Sequence, residues 1–383
     1  MKRLTILGST GSIGVSTLDV VRNHPDRFQI HALVAGRNVV KLAEQIRHFR
    51  PKIAVLLEKS DAEKLKSEIY SSTEIRFGFE AMSEVAIDPS VDLVVSAIVG
   101  AAGLRPTHAA LQAGKTVALA NKESLVAAGT VMKQAEKVGR AKGAKILPVD
   151  SEHSAIHQVL RGTDREIAKI ILTASGGPFR QFSLEQLSRV TKAEALKHPN
   201  WNMGAKITID SATMMNKGLE FIEAHWLFDM PPSKIEILIH PQSIIHSMVE
   251  MIDGSVLAQM GEPDMRTPIA YALGFPDRIA ANVTRLDLAR HATLTFEKPD
   301  PKRFPAMTLA RQALEIGGSA PCVLNAANEI AVGAFLSDRI GFLEIVSTVE
   351  KALQQHAVHP LNSLEEVLEV DRETRIKTEE LLA

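Results

Sequence analysis

The sequence has one cysteine, few aromatic residues and almost no net charge, and its apolar runs are short. The single Cys322 excludes an intrachain disulfide and fits a reducing compartment. A formal net charge of −1 excludes a global basic field for nucleic acid or anionic lipid, so an anionic ligand needs a local site. The most apolar stretch, residues 91–104, is too short to span a membrane and contains Asp92 and Ser96. Since a strand pattern follows residue 3 at once, we expect no signal peptide. Together these features predict a cytoplasmic protein without nucleic-acid or membrane partners.

The chain of 383 residues is long enough for two or three domains. In residues 1–149, short apolar runs alternate with segments of helical periodicity. Such alternation predicts a parallel, doubly wound sheet, in which ligands bind beyond the carboxyl ends of the strands.

A glycine turn joins the first predicted strand to the first helix. The motif GSTGSIG at residues 8–14 begins at Gly8, directly after the apolar run 4–7. Its glycines permit a tight turn, and the helix N-terminus presents N–H groups to a pyrophosphate. This arrangement predicts a dinucleotide site. The alternative is a tight turn in another kind of α/β domain.

The second strand ends in Gly36, Arg37 and Asn38, where a site for NAD usually has an acidic residue. A guanidinium can bind a 2′-phosphate through two hydrogen bonds, so the predicted cofactor is NADPH. The alternative for Arg37 is a solvated charge at the start of a helix.

Two carboxylates, Asp150 and Glu152, follow the last strand of this part and flank Ser151. In extended backbone they point to one side, where a divalent cation such as Mg²⁺ or Mn²⁺ would balance their charge. Glu220 is a candidate third oxygen ligand. The alternatives are an N-cap at residues 150–151 and a surface pair of Lys217 with Glu220.

Two stretches offer groups for a phosphate ester. Ser175 precedes two glycines, and a predicted helix from Ser211 to Phe228 contains Asn216 and Lys217. Between them, residues 197–204 lack regular period and include Trp201, which is typical of a flap that closes over a ligand. The alternatives are an ordinary turn, a capped helix and a surface loop.

Eight motifs in this order resemble those of the 1-deoxy-D-xylulose 5-phosphate reductoisomerase family, and they extend over nearly the whole chain. They are GSTGSIG (8–14), ANKES (120–124), PVDSEH (148–153), TASGGPFR (173–180), HPNWNMG (198–204), DSATMMNKGLE (210–220), HPQSIIH (240–246) and NAANE (325–329). The resemblance implies an NADPH-dependent enzyme that rearranges and reduces 1-deoxy-D-xylulose 5-phosphate to 2-C-methyl-D-erythritol 4-phosphate, on the methylerythritol phosphate route to isoprenoids. Other possibilities are another metal-assisted NADP dehydrogenase of a phosphorylated substrate and a non-catalytic NADPH sensor.

The resemblance also implies roles for individual residues and a homodimer. The implied metal ligands, which also act in catalysis with Lys122, are Asp150, Glu152 and Glu220. The implied substrate contacts are Lys122, Ser151, Glu152, Ser175, His198, Trp201, Ser211, Asn216, Lys217 and Glu220. With Gly8, the implied NADPH contacts are Thr10, Gly11, Ser12, Ile13, Gly36, Arg37, Asn38, Asn121, Glu123 and Gly204.

Together these observations predict an α/β protein with an N-terminal Rossmann-like doubly wound domain, a central α+β catalytic domain and a small C-terminal helical domain. The predicted boundaries are 1–149 for NADPH binding, 150–274 for catalysis and dimerisation, 275–305 for a linker and 306–383 for the helical domain.

Overall fold

The structure is a computed structural model, and it describes residues 1–69, 72–161, 166–201 and 203–383. Strands and helices alternate through the first 150 residues. The elements are β1 (Lys2–Leu7), α1 (Ser12–Arg22), β2 (Phe28–Val34), α2 (Val39–Phe49), β3 (Ile53–Leu56), α3 (Lys59–Glu68), β4 (Glu74–Phe77), α4 (Gly78–Ile87), β5 (Leu93–Ser96), α5 (Leu104–Gln112), β6 (Thr116–Leu119), α6 (Glu123–Gly139) and β7 (Lys145–Pro148).

The following residues contain further strands, and the last part is helical. The elements are α7 (Ser151–Val159), β8 (Ile167–Ala174), α8 (Leu184–Leu187), α9 (Lys192–Ala195), α10 (Ala205–Ala212), α11 (Met215–Phe228), β9 (Ile235–Ile239), β10 (Ile245–Met251), β11 (Val256–Met260), α12 (Arg266–Gly274), α13 (Leu288–His291), α14 (Ala306–Ile316), α15 (Ala320–Leu336), α16 (Phe342–Gln355) and α17 (Leu364–Leu381).

The chain forms two compact units. Unit 1 contains Met1–Ser124, Val131–Asp150 and Met265–Val283, and unit 2 contains Leu125–Thr130, Ser151–Asp264 and Thr284–Ala383. The division into four parts predicted above stays a prediction.

Unit 1 is built on a parallel sheet with the strand order β4-β3-β2-β1-β5-β6-β7. Its central strands are mostly apolar, and side chains such as Ile6, Leu33 and Val95 are buried in one core with the flanking helices. The order reverses between β1 and β5, and at such a switch point doubly wound sheets bind their ligands. The prediction of a Rossmann-like α/β fold is therefore confirmed.

Helix α12 returns late in the chain and completes unit 1. Lys2 is the first residue of β1, and its ammonium donates to the carbonyl oxygens of Leu273 (2.9 Å) and Phe275 (2.8 Å). Arg266 donates to Asp19 on α1 at 3.2 Å. Residues 265–283 thus belong to unit 1 together with its parallel sheet.

Unit 2 combines a small sheet with the C-terminal helices. Its strand order is β11-β10-β8-β9, with β8 and β9 parallel and the other pairs antiparallel. Phe179, Phe335 and Phe342 belong to one buried cluster with residues of α10 and α14. Cys322 is buried in α15, and burial raises the pKa of its thiol.

The single helix predicted from Ser211 to Phe228 is wrong at its start. Helix α10 already contains Ser211 and ends at Ala212, and α11 begins at Met215. Between them Met214 adopts φ +63°, a left-handed conformation that interrupts the helix. Ser211 therefore lies at the end of one helix, and Asn216 and Lys217 lie in the first turn of the next.

None of the helices in the described part of the chain is long and apolar enough to cross a membrane.

Candidate active site

The glycine turn after β1 is packed too closely for side chains at two positions. Gly8 has φ +87°, and a Cβ there would lie 2.5 Å from the carbonyl oxygen of Ala97. A Cβ on Gly14 would lie 2.4 Å from the oxygen of Gly8. Helix α1 therefore starts directly against the turn, with exposed Gly11 as its N-cap and Ser12 as its first residue. Its N-terminal N–H groups form the kind of site that holds a pyrophosphate.

Gln45 on α2 holds this turn in place. The Ser9 hydroxyl donates to Gln45 Oε1 at 2.8 Å, and Gln45 Nε2 donates to the backbone oxygen of Ser9 at 2.8 Å. Both side chains are buried. The sequence reasoning missed Gln45, because nothing near it in the chain links it to the turn.

The residues proposed to select the cofactor follow β2. Gly36, Arg37 and Asn38 are exposed at its carboxyl end, and β2 is the neighbour of β1. Asn38 also caps α2, since its Oδ1 accepts from the N–H of Lys41 at 3.1 Å. Arg37 therefore stands where an exposed guanidinium can meet a phosphate at this edge of the sheet.

Asn121 uses its side chain to shape the loop after β5. Its amide donates to the carbonyl oxygens of Ile98 and Gly100, and its Oδ1 accepts from the N–H of Ser124 at 3.1 Å. Because the amide is bonded in this way, Asn121 fixes the backbone beside the switch point. Glu123 follows as the first residue of α6 and is buried.

Lys122 and Asp150 form a buried ion pair within unit 1. Lys122 Nζ lies 2.6 Å from Asp150 Oδ2, and the two side chains are 7% and 10% exposed. Both residues follow carboxyl ends of adjacent strands, β6 and β7, so the sheet itself brings them together.

In unit 2, carboxylates from α7 and α11 converge on one ammonium group. Lys217 Nζ donates to Glu152 Oε1 at 2.8 Å and also to Glu220, which accepts from Asn216 as well. Ser151 donates to the other oxygen of Glu152. Lys217 and Glu220 are only 3% and 1% exposed, so this is not a surface pair. Coulombic attraction is much stronger in such a buried place than at the surface.

His153 and Glu223 lie next to these carboxylates and contact the backbone of Glu220 and each other. His153 Nε2 donates to the backbone oxygen of Glu220 at 2.9 Å, and its Nδ1 lies 3.1 Å from Glu223 Oε2. Both side chains are fully buried. One imidazole thus follows Glu152 in sequence and bonds to the backbone of Glu220. Sequence reasoning missed Glu223, although its position three residues after Glu220 on the same helix was a usable signal.

Two of the residues predicted to bind the substrate phosphate, Ser175 and Ser211, lie close to the loop after β8. Gly177 has φ +69°, and a Cβ there would lie 2.6 Å from the backbone oxygen of Ser211. The N–H of Gly177 donates to Ser175 Oγ at 3.2 Å. The Ser175 loop is thereby held against the end of α10.

His198 connects this loop to the segment that contains Trp201. Its Nδ1 accepts from the N–H groups of Asn200 (3.2 Å) and Trp201 (3.0 Å). Nδ1 is therefore unprotonated, Nε2 carries the hydrogen, and Nε2 donates to Ser175 Oγ at 3.1 Å. Burial lowers the pKa of His198 to about 4, which favours this neutral form.

Asn200 and Trp201 have further partners. Asn200 Nδ2 donates to the oxygen of Pro241 at 2.6 Å and to Ser243 Oγ at 3.1 Å. The ring of Trp201 lies 6.3 Å from that of His246. Gly204 is the N-cap of α10, and the space around it is open.

The carboxylates fit a hard divalent cation. Glu152 and Glu220 already converge on a positive charge, the ammonium of Lys217, and Asp150 precedes Glu152 by two residues. Their oxygens are the ligand type that Mg²⁺ and Mn²⁺ prefer.

Three family models match the chain. They are 1-deoxy-D-xylulose 5-phosphate reductoisomerase at residues 4–129, the C-terminal domain of that enzyme at residues 146–228, and the DXP reductoisomerase C-terminal domain at residues 260–377. A protein of Chlorobium chlorochromatii with the name 1-deoxy-D-xylulose 5-phosphate reductoisomerase is 58% identical over 378 residues, 98% of each chain. The chain belongs to this reductoisomerase family.

Further reductoisomerases agree with this membership. The reductoisomerase of Chlorobaculum tepidum is 57% identical over the full length of both chains. The solved reductoisomerase of Zymomonas mobilis in complex with NADPH is 49% identical, with a TM-score of 0.93 over 100% of this chain and 99% of that one. Another, in complex with NADPH, fosmidomycin and magnesium, is 43% identical, with a TM-score of 0.93 over 100% and 98%.

Proposed function

We propose that the protein is an NADPH- and divalent-metal-dependent 1-deoxy-D-xylulose 5-phosphate reductoisomerase that forms 2-C-methyl-D-erythritol 4-phosphate, a step of isoprenoid biosynthesis. The observation that supports this best is the contact of the partly buried Glu152 with the buried pair of Lys217 and Glu220, which has no evident purpose in a protein that only senses a nucleotide. Solved reductoisomerases similar to this chain are in complex with NADPH, and one of them with NADPH, fosmidomycin and magnesium, which agrees with this assignment.

In this proposal the ligands of the metal are Asp150, Glu152 and Glu220. When bound, Mg²⁺ or Mn²⁺ supplies a Lewis acid for substrate oxygens that gain negative charge, and NADPH supplies the hydride. Lys122, paired with Asp150 at 2.6 Å, is the cation between the cofactor edge and the substrate. Ser151 and Glu152 contribute a hydroxyl and a carboxylate that orient the reacting hydroxyl groups.

The substrate phosphate would be held by Ser175, Ser211, Asn216 and Lys217. Ser211 lies in the last turn of α10, and Asn216 and Lys217 lie in the first turn of α11. Gly177 packs the Ser175 loop against the backbone oxygen of Ser211. These contacts would keep the two parts of the substrate in the site while a carbon–carbon bond is broken. Their recombination would then be effectively unimolecular.

His198 and Trp201 would close over the bound substrate. His198 orients the hydroxyl of Ser175 toward the phosphate, since its Nε2 hydrogen is donated to that oxygen. Closure of the Trp201 segment would exclude water from the aldehyde intermediate.

NADPH would bind along one edge of unit 1, with its pyrophosphate on the N-terminus of α1 and its 2′-phosphate on Arg37. The proposed NADPH contacts are Gly8, Thr10, Gly11, Ser12, Ile13, Gly36, Arg37, Asn38, Asn121, Glu123 and Gly204.

A homodimer is part of the proposal. Strand β11 lies at the edge of the small sheet, and Ile252, Val256 and Leu257 near it are exposed apolar residues. An exposed strand edge with apolar side chains favours pairing with another chain. The cytoplasmic location stays a prediction.

The test is an assay that follows NADPH absorbance after addition of 1-deoxy-D-xylulose 5-phosphate, with and without Mn²⁺ or Mg²⁺. We expect oxidation of NADPH that requires the metal, and 2-C-methyl-D-erythritol 4-phosphate as the product. Absence of oxidation under all conditions would refute the assignment, and oxidation that yields a different product would refute the proposed reaction.

A further inference from the structure

Asp210, which directly precedes Ser211, is a buried carboxylate held from two sides. Its Oδ1 accepts from Asn328 Nδ2 at 2.8 Å, and its Oδ2 lies 2.9 Å from the ammonium of Lys206. Asp210 and Asn328 are 1% and 0% exposed, whereas the Lys206 side chain is 22% exposed. A carboxylate in such a place depends on its partners, because a buried charge without them is strongly unfavourable.

Asn328 comes from α15 and is 118 residues away from Asp210 in the sequence. Its bond therefore ties the last turn of α10 to the C-terminal helices. Thr213 adds a local bond, since its hydroxyl donates to the backbone oxygen of Asp210 at 3.2 Å.

The C-terminal helices also support α11. A Cβ on Gly218 would lie 2.8 Å from Cβ of Ala310 on α14, so the two helices touch directly beside Lys217. Arg311 on α14 lies over the ring of Phe221 at 4.3 Å and donates to the backbone oxygen of Pro232 at 2.8 Å. Of the two helices that contain the proposed phosphate-binding residues, α10 is thus bonded to α15 and α11 is packed against α14.

We propose that Asn328 and Asp210 are positioning residues of the phosphate site. Asn328 fixes the Asp210 carboxylate, and Asp210 fixes Lys206 and the final turn of α10, where Ser211 meets the Ser175–Gly177 loop. This inference rests on the proposed function, because it takes Ser211 as a ligand of the substrate phosphate. It gives the C-terminal helices a role in substrate affinity.

The experiment compares Asn328→Ala with Asn325→Ala in the full-length protein. Asn325 lies on the same helix, is equally buried and bonds to Glu329 at 3.1 Å, so its removal perturbs α15 without touching Asp210. Binding of inorganic phosphate and of NADPH is measured by calorimetry, and KM and kcat are measured for 1-deoxy-D-xylulose 5-phosphate.

For Asn328→Ala we expect the Kd of phosphate and the KM of the sugar phosphate to rise about tenfold, because binding must then restore the position of Ser211 that the lost hydrogen bond to Asp210 no longer holds. The Kd of NADPH should stay unchanged, and Asn325→Ala should bind phosphate like the wild type. Equal effects of the two variants on phosphate, or parallel losses of phosphate and NADPH binding, would overturn the proposal. Failure of the wild type to bind phosphate would also overturn it.

Lys206→Met provides a second variant at a partly exposed position, should Asn328→Ala not fold. We expect a severalfold weaker phosphate affinity, and an unchanged affinity would contradict the role of Asp210. Phosphate binding by calorimetry needs no turnover. A wild type that binds phosphate but does not oxidise NADPH therefore refutes the proposed function alone.

Discussion

Mild acid is expected to release the segment from His198 to Trp201. The imidazole holds this segment through Nδ1, which accepts the N–H groups of Asn200 and Trp201 and must be unprotonated to do so. Burial lowers the pKa of His198 from 6.5 to about 4 while the segment is in place. Protonation removes the acceptor, so it is coupled to opening of the segment.

The difference in the pKa of His198 between the closed and the open segment sets the direction and the size of the pH effect. Because the pKa of the closed form is the lower one, the stabilisation is fully present above about pH 6.5 and is lost as the pH falls toward 4. At pH 5 the full shift corresponds to about 2 kcal/mol, and the partial exposure of the ring reduces this to about 1 kcal/mol. The open form should then gain about fivefold in population relative to pH 7.

Fluorescence of Trp201 measures this opening without a ligand, so the titration of a phosphate does not interfere. The chain has two tryptophans, and a Trp226→Phe background leaves Trp201 as the reporter. We expect iodide quenching to increase between pH 7 and pH 5. His198→Asn is the matched control, since its amide oxygen can replace Nδ1 as an acceptor that does not titrate. Identical pH profiles for the two proteins, or quenching that increases with pH, would refute the reasoning.

Two further predictions concern the ligands of unit 1 and unit 2. Arg37→Ala should weaken NADPH binding about thirtyfold and leave NADH binding almost unchanged. Both affinities are measured by fluorescence titration, with Arg47→Ala as the control variant. Equal losses of affinity for both cofactors would exclude contact of Arg37 with the 2′-phosphate. Glu220→Gln should lower metal-dependent turnover by about two orders of magnitude or more and weaken Mn²⁺ binding in electron paramagnetic resonance, with NADPH affinity retained. Glu236→Gln, a partly exposed carboxylate of the same unit, is its control, and a wild-type turnover of Glu220→Gln would show that the third ligand is misassigned.

The glycine turn and the strand ends of unit 1 were predictable from sequence because their pattern is local. The turn that begins at Gly8 lies between one strand and one helix. Gly8 is required by the close backbone of Ala97, which follows the neighbouring strand, and Gly14 by the backbone oxygen of Gly8. Parallel strands then bring Lys122 and Asp150 to the same edge without further information.

The contacts that hold the proposed substrate site were not predictable, because they involve residues that are distant in the sequence. No local signal marks the break at Met214, which has neither the freedom of glycine nor the restriction of proline. The bond from Asn328 to Asp210 and the bonds between Gln45 and Ser9 join parts that only the folded chain brings together. Sequence patterns report which side chains can react, whereas tertiary contacts decide how firmly they are held.

The buried Cys322 has a practical consequence for studies of motion in this molecule. Its thiol is inaccessible and its pKa is raised by burial, so reagents that label exposed cysteines should leave it untouched. Spin labels or dyes can therefore be attached to cysteines introduced at exposed positions of each unit without first removing the native one. Each label would then report, within its own unit, how the surroundings change when cofactor and substrate bind.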